Sequence, residues 1–276
     1  MKIIKTFVFT GLAVGTLAFS SASIATHAWG TYHWDRSANP FYLDLGDNVD
    51  SGWDGHLVTA SADWTNSEVL DTTIVPGSTS PRRCRVESGN VQVCNDTYGF
   101  NGWLGIASIS VSGDHITAGY VKVNDSYFNT SSYDTPAWRQ MVMCQEIGHT
   151  FGLGHQDENF NNSNLNTCMD YTRDPESNQH PNDHDYQQLT DIYSHLDSSV
   201  TGSDGGSSGC NPKSPKCSGA SAADILANIE MNGPAQWGRL VSGHGPQEVY
   251  ELDFGGGRKI ITHVTWTLES AYNHKH

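Results

Sequence analysis

The sequence predicts an α+β fold, on three observations. Four short runs rich in β-branched and aromatic residues lie between turn residues, and three segments carry apolar residues at helical spacing. The composition then breaks at residue 198, so that 30–196, long enough for one core, stands apart from the C-terminal remainder of the chain.

Taken in order, strands are expected at 39–45, 68–75, 103–109 and 115–123. Between the first two, Trp53, Leu57, Ala60 and Trp64 recur at helical spacing behind Asp50 and Ser51, which can cap. A second helix is expected over 136–151: Thr135 can cap it, Pro136 suits its first turn, Trp138, Met141, Val142 and Cys144 form its inner stripe, and Gly152 ends it. A third starts near Asn182 or Asp183, with Tyr186, Leu189, Tyr193 and Leu196 as its apolar seam. Trp34, Trp64 and Trp103 read as core. Residues 198–219 are a Ser/Gly-rich linker, and 220–276 form a small C-terminal module with a helix-like stretch and two strand-like stretches, EVYELDF and ITHVTWTL.

Residues 1–28 read as a secretory signal. Lys2 and Lys5 precede an apolar run from Phe7 to Phe19, then small residues and an expected cut after Ala28. No later stretch has the length and apolarity of a membrane anchor. Loss of the two lysines leaves 13 basic residues against 30 acidic ones, a net charge of −17. So acidic a surface argues against nucleic acid as a partner. The acids leave Ca2+ as a second ion the chain can take, although no regular calcium loop is present. A secreted, extracellular monomer is expected. Export favours disulfides, and the preferred pairing of the six cysteines is sequential: Cys84–Cys94, Cys144–Cys168 and Cys210–Cys217.

The chemistry lies in CQEIGHTFGLGHQD, residues 144–157. Gln145 and His149 are four apart on a helix and face one way, and Glu146 stands three before His149. Gly152 lets the chain turn back, so that His155 can approach the same point as His149. A Zn2+ ion there activates water, and Glu146 takes its proton and later delivers it to the departing amine.

The stretch QEIGHTFGLGH resembles the extended zinc signature of the metzincin metallopeptidases, H-E-x-x-H-x-x-G-x-x-H, matching Glu146, His149, Gly152 and His155 and departing at Gln145. CMDY at 168–171 is similar to the clan's Met-turn. The resemblance covers 30–196 and implies a zincin-like mixed, twisted sheet with an active-site helix and a C-terminal helix. It implies Met169 as an apolar floor below the metal, Tyr171 as a group that approaches the metal or the transition-state oxyanion, and 103–109 as the strand lining the substrate. It also implies a peptide or protein substrate.

Where the signature has its first His, this chain has Gln145, whose amide oxygen is a neutral and weaker donor. Three outcomes stay open. Gln145 ligates through Oε1, or His180, His184, Asp185 or Asp157 supplies the missing ligand, or the site holds no metal. The first two make the protein a secreted zinc endopeptidase with His149 and His155 at the metal, joined by Gln145 in the preferred reading, and with Glu146 and Tyr171 as catalytic groups. The third makes it a catalytically inactive binding protein on the same scaffold.

Overall fold

The computed structural model describes residues 27–197, 231–243 and 247–273. The linker at 198–219, the pair Cys210 and Cys217, and almost all of the leader lie outside the described residues. Among the described residues, nine strands and a set of short and medium helices form a mixed α+β fold around one sheet.

Three helices cover the sheet and its flank. Helix α1 (Asp54–Thr65) buries Leu57, Ala60, Ser61 and Trp64. Its entrance differs from expectation: Trp53 is the N-cap residue and no side chain caps the helix, while the Asp50 carbonyl accepts from Trp53 and Asp54 in a turn just before it. A single turn, α2 (Asp125–Phe128), follows the sheet's central strands. Helix α3 (Pro136–His149) begins as the sequence predicts, with the Thr135 hydroxyl accepting from the Trp138 amide at 3.2 Å and Pro136 in the first turn. All its residues except Pro136 and Arg139 are buried, so it is an internal helix. Trp64 donates its indole N–H to the Cys144 carbonyl at 3.1 Å, fixing α1 against α3.

Helix α4 (Asp183–Ile192) starts with a capping box in which Asn182 and Asp185 satisfy each other's backbone amides. Of its expected seam, Leu189 and Tyr193 are buried, but the helix ends at Ile192 and Leu196 is 55% exposed. Beyond the helix no periodicity holds Leu196 to the core.

The strands are β1 (His33–Trp34), β2 (Phe41–Asn48), β3 (Leu70–Pro76), β4 (Asn90–Asp96), β5 (Trp103–Ser112), β6 (His115–Asn124), β7 (Arg239–Ser242), β8 (Gln247–Gly255) and β9 (Arg258–Trp266). Strand β4 was not anticipated, because its sequence NVQVCND puts the polar Gln92 and Asn95 among residues buried on both faces of the sheet. Those polar groups are used inside: Gln92 accepts from Asn48 at 2.8 Å, and Asn95 reaches Asp50 and Asp125. The sheet order is β3-β2-β4-β6-β5-β9-β8-β7, with β1 pairing β6. Strands β2, β3, β4 and β6 run parallel; β5, β9, β8 and β7 alternate antiparallel.

The segment expected as a small C-terminal module therefore contributes β7, β8 and β9 to the same sheet. Strand β9 pairs with β5 along nearly its whole length, with Ala107 opposite His263. Two short helices, α5 (Pro234–Trp237) and α6 (Leu268–Asn273), flank this part. The start of the described chain is packed too. Ala28 bridges Leu153, the His27 amide donates to Gln188 Oε1 at 2.9 Å, and the His27 ring meets Asp185 at 3.1 Å. The expected cut after Ala28 falls inside this packed segment. No helix among the described residues is long and apolar enough to cross a membrane.

Candidate metal centre

The last turn of α3 carries Gln145, Glu146 and His149, all wholly buried. The chain leaves the helix through Gly152, whose φ of +94° is a backbone state that favours glycine. A Cβ there would also lie 2.3 Å from the Tyr32 carbonyl oxygen. Past this turn His155 returns to His149, with ring centroids 4.4 Å apart. The third ring comes from β9: His263 stacks on His149 with centroids 4.0 Å apart and planes 2° from parallel. His149, His155 and His263 each offer a ring nitrogen, and these atoms lie within 4.8 Å of one another.

These nitrogens are suited to a metal ion. The Nδ1 of His149 sits 2.8 Å from the Leu153 carbonyl, so it carries the proton and leaves Nε2 with a free lone pair. Nε2 of His149, Nε2 of His155 and both nitrogens of His263 are buried without a hydrogen-bond partner. Burial lowers the His149 pKa to about 4 and those of His155 and His263 well below the usual imidazole value. The rings are therefore neutral, as ligands must be. Orphaned imidazole nitrogens gathered in a buried pocket cost free energy unless something binds them, and a divalent cation that prefers nitrogen, such as Zn2+, fits.

Gln145 is elsewhere engaged, against the expectation that it ligates. Its Nε2 donates to the Cys168 carbonyl at 2.8 Å, while its Oε1 accepts from Gln247 at 3.2 Å and from the Thr265 hydroxyl at 3.1 Å. The amide thus joins α3 to β8 and β9, and β9 supplies the imidazole. None of the alternative ligands joins the cluster. His180 pairs with Asp63 at 2.7 Å on the surface, and His184 stacks on His27 at 4.8 Å. Asp185 is spent on the α4 cap, His27, Gln156 and Thr167. Asp157 closes a turn by accepting from the Asn159 amide. His263 escaped sequence reasoning because it stands on a strand more than 100 residues past His155, with no motif spacing to connect them. Its one sequence signal was a lone histidine in an otherwise β-forming run, ITHVTW.

Glu146 lies over β5 where Gly105 leaves room; a Cβ on Gly105 would fall 2.5 Å from its Oε1. Both carboxylate oxygens are buried and unpartnered. Burial raises the pKa to about 8, opposed in part by the nearby Thr265 hydroxyl. Tyr171 stacks on His155 at 4.8 Å; its hydroxyl is buried without a partner, and burial holds its pKa far above the usual phenol value.

Met169 is wholly buried beneath α3, and a Cβ on Gly148 would meet its sulfur at 2.8 Å. The Cys144–Cys168 disulfide ties this segment to the helix, and the Gln156 amide donates to the Met169 carbonyl at 2.7 Å. A second disulfide, Cys84–Cys94, packs in a separate core cluster with Trp103 and Ile106. Trp29 closes one wall, its ring 4.0 Å from that of His263. A cavity of about 340 Å³ reaches His263 past Trp29, Tyr32 and Glu158.

No protein-family model matches the chain, and no curated protein does. Among solved structures the chain is similar to high choriolytic enzyme 1, a hatching enzyme zinc-protease from Oryzias latipes (medaka fish). The match has a TM-score of 0.33 and 10% identity, covering 59% of this chain and 94% of that one. So slight a likeness carries no argument, and the chemistry of the site is read from its own atoms.

Proposed function

We propose that the protein is a secreted zinc-dependent endopeptidase of metzincin type in which His149, His155 and His263 hold the metal, with the third ring moved from the active-site helix to a C-terminal strand. The gathering of three neutral imidazoles, each with an unpartnered ring nitrogen, near a helix that also carries the unpartnered Glu146 carboxylate, carries this reading. Zinc at that point supplies Lewis-acid polarisation of the scissile carbonyl and acidifies water.

The chain's own groups supply the rest. With a cation bound nearby to hold its carboxyl ionised, Glu146 would take a proton from the attacking water as the water oxygen bonds to the carbonyl carbon, then pass that proton to the amide nitrogen as the C–N bond breaks. The free Tyr171 hydroxyl, beside His155, is placed to donate to the developing oxyanion. Gln145 is a positioning residue: its three hydrogen bonds set β9, and with it His263, against the helix.

One observation favours a second reading. Extended peptides bind proteases and other receptors by adding a strand to an open sheet edge, and β9 already occupies that edge of β5. With Glu146 wholly buried, this form is closed to an extended substrate. That closure supports a non-catalytic binding protein that keeps the metal site as structure.

Cleavage of a degenerate peptide library by the full chain at saturating Zn2+ separates the two, with zinc content measured in parallel. The peptidase reading expects cleavage that a chelator abolishes and that Glu146→Ala loses while keeping its zinc. Zinc bound without cleavage in the wild type supports the binding protein. A wild-type protein that is folded and takes up no zinc at His149, His155 and His263 overturns both.

A further inference from the structure

A second group of nitrogen and oxygen donors lies where β1, β6 and the end of α4 meet. His33 and His115 are register partners across the β1–β6 pair, and Asp197 reaches them from beyond α4. The Nε2 atoms of His33 and His115 each lie 3.3 Å from the same oxygen, Asp197 Oδ1. The Nε2 of His195 lies 3.6 Å from that oxygen and 3.3 Å from the Nε2 of His33.

Hydrogen bonding accounts poorly for these distances. A charge-assisted N–H···O bond is about 2.7–2.9 Å long, and here three imidazoles crowd one carboxylate oxygen at longer range. An ion at the centre accounts for them well. Tetrahedral Zn2+ with bonds of about 2.0–2.1 Å has ligand-to-ligand edges of about 3.3–3.4 Å.

The surroundings match a ligand set as well. Nδ1 of His33 sits 2.8 Å from the Thr31 carbonyl, which leaves its Nε2 bare and aimed inward. The other carboxylate oxygen of Asp197 is held by the Arg36 backbone amide at 3.1 Å and its guanidinium at 3.0 Å, and Arg36 also donates to the His195 carbonyl. The side chains of His33, Asp197 and Arg36 are only 7%, 10% and 2% exposed. A surface cavity of about 500 Å³, with His33 and His195 on its wall, offers a route for an ion.

We propose that His33, His115 and Asp197, with His195 as a fourth donor, bind a second divalent metal ion of the zinc class that clamps the N-terminal segment to the end of α4. The donor set is three nitrogens and one oxygen, four protein donors in all. The site is therefore a structural clamp and not a second catalytic centre.

The test is the zinc stoichiometry of the chelator-stripped full chain, refilled with Zn2+ alone and freed of excess, in the wild type and two pairs of variants. His115→Gln and Asp197→Asn remove one rim donor each, and His115 is 42% exposed on its side chain, so its loss least threatens folding. His149→Ala and His155→Ala empty the buried site. The expected result is two zinc ions in the wild type and one in every variant, with zinc affinity at the rim down at least tenfold for His115→Gln. Cd2+ in place of Zn2+ is expected to give two NMR resonances, of which His115→Gln removes one and His149→Ala the other. A wild type with one ion that His149→Ala removes and His115→Gln leaves alone would overturn the second site. One ion that His115→Gln removes and His149→Ala leaves alone would uphold it and count against the buried centre instead.

Discussion

The two histidine clusters differ in what surrounds their nitrogens. In the buried cluster three rings from α3, the turn after it and β9 face one another with no anion among them, and Glu146 waits beside them unpaired. At the rim the rings share a carboxylate that an arginine already holds. A metal in the first place would have three protein donors, with Glu146 on the same helix as one of them; in the second it would have four protein donors. On the proposed reading the same residue type would serve a reactive centre or a clamp according to whether protein donors fill the ion's coordination.

Several measurements break or sharpen that contrast. The largest effect is on turnover. Glu146→Ala is expected to lower peptide cleavage by about 10²–10⁴, the usual worth of a general base, with zinc at the buried centre unchanged. The rim variant His115→Gln is expected to leave turnover within a few-fold. Equal losses in both would erase the distinction.

Next comes the metal-free protein. Glu146 has a folded pKa of about 8 against an ordinary 4.5. Its contribution is fully present below about pH 4.5 and is lost as pH rises through 8. Metal-free wild type should therefore lose stability relative to Glu146→Gln across that window, by on the order of a few kcal/mol. The depressed pKa of His149 acts the other way over about pH 4 to 6.5, but it is common to both proteins and cancels. Parallel unfolding curves for the two across this range would show that the carboxylate is not desolvated.

The third measurement exchanges ring and amide. His263→Ala is expected to weaken zinc at the buried centre at least tenfold, and Gln145→His added to it should recover part of that loss. No recovery in the folded double variant would mean that the helix position no longer faces the ion. The smallest effect is at Thr265→Val, which removes one of the two donors to Gln145 Oε1 and is expected to cost about 1 kcal/mol of stability by chemical denaturation.

Much of the fold was legible because its signals are local. Thr135 and Pro136 mark the start of α3, the Asn182 capping box marks that of α4, and four strands carry β-forming residues between turns. Strand β4 was hidden because Gln92 and Asn95 are polar yet buried, satisfied by Asn48 at the end of β2 and Asp50 just beyond it. In the site, Glu146, His149, Gly152 and His155 were visible from spacing along one segment. His263 was not, since its approach depends on β9 pairing with β5, a contact between parts of the chain about 150 residues apart. The rim cluster was invisible for the same reason: His33, His115 and Asp197 are brought together by strand pairing and by the exit of α4.

The origin of that third ring has a bearing on timing. Synthesis proceeds at about 5–20 residues per second, so roughly 5–20 s separate the emergence of His155 from that of His263, which lies near the far end of the chain. During that interval the motif-bearing segment is already made, yet it has only two of its three imidazoles. Whatever reactivity the finished centre has is withheld from the nascent chain and from its neighbours until the last strand has been threaded into place.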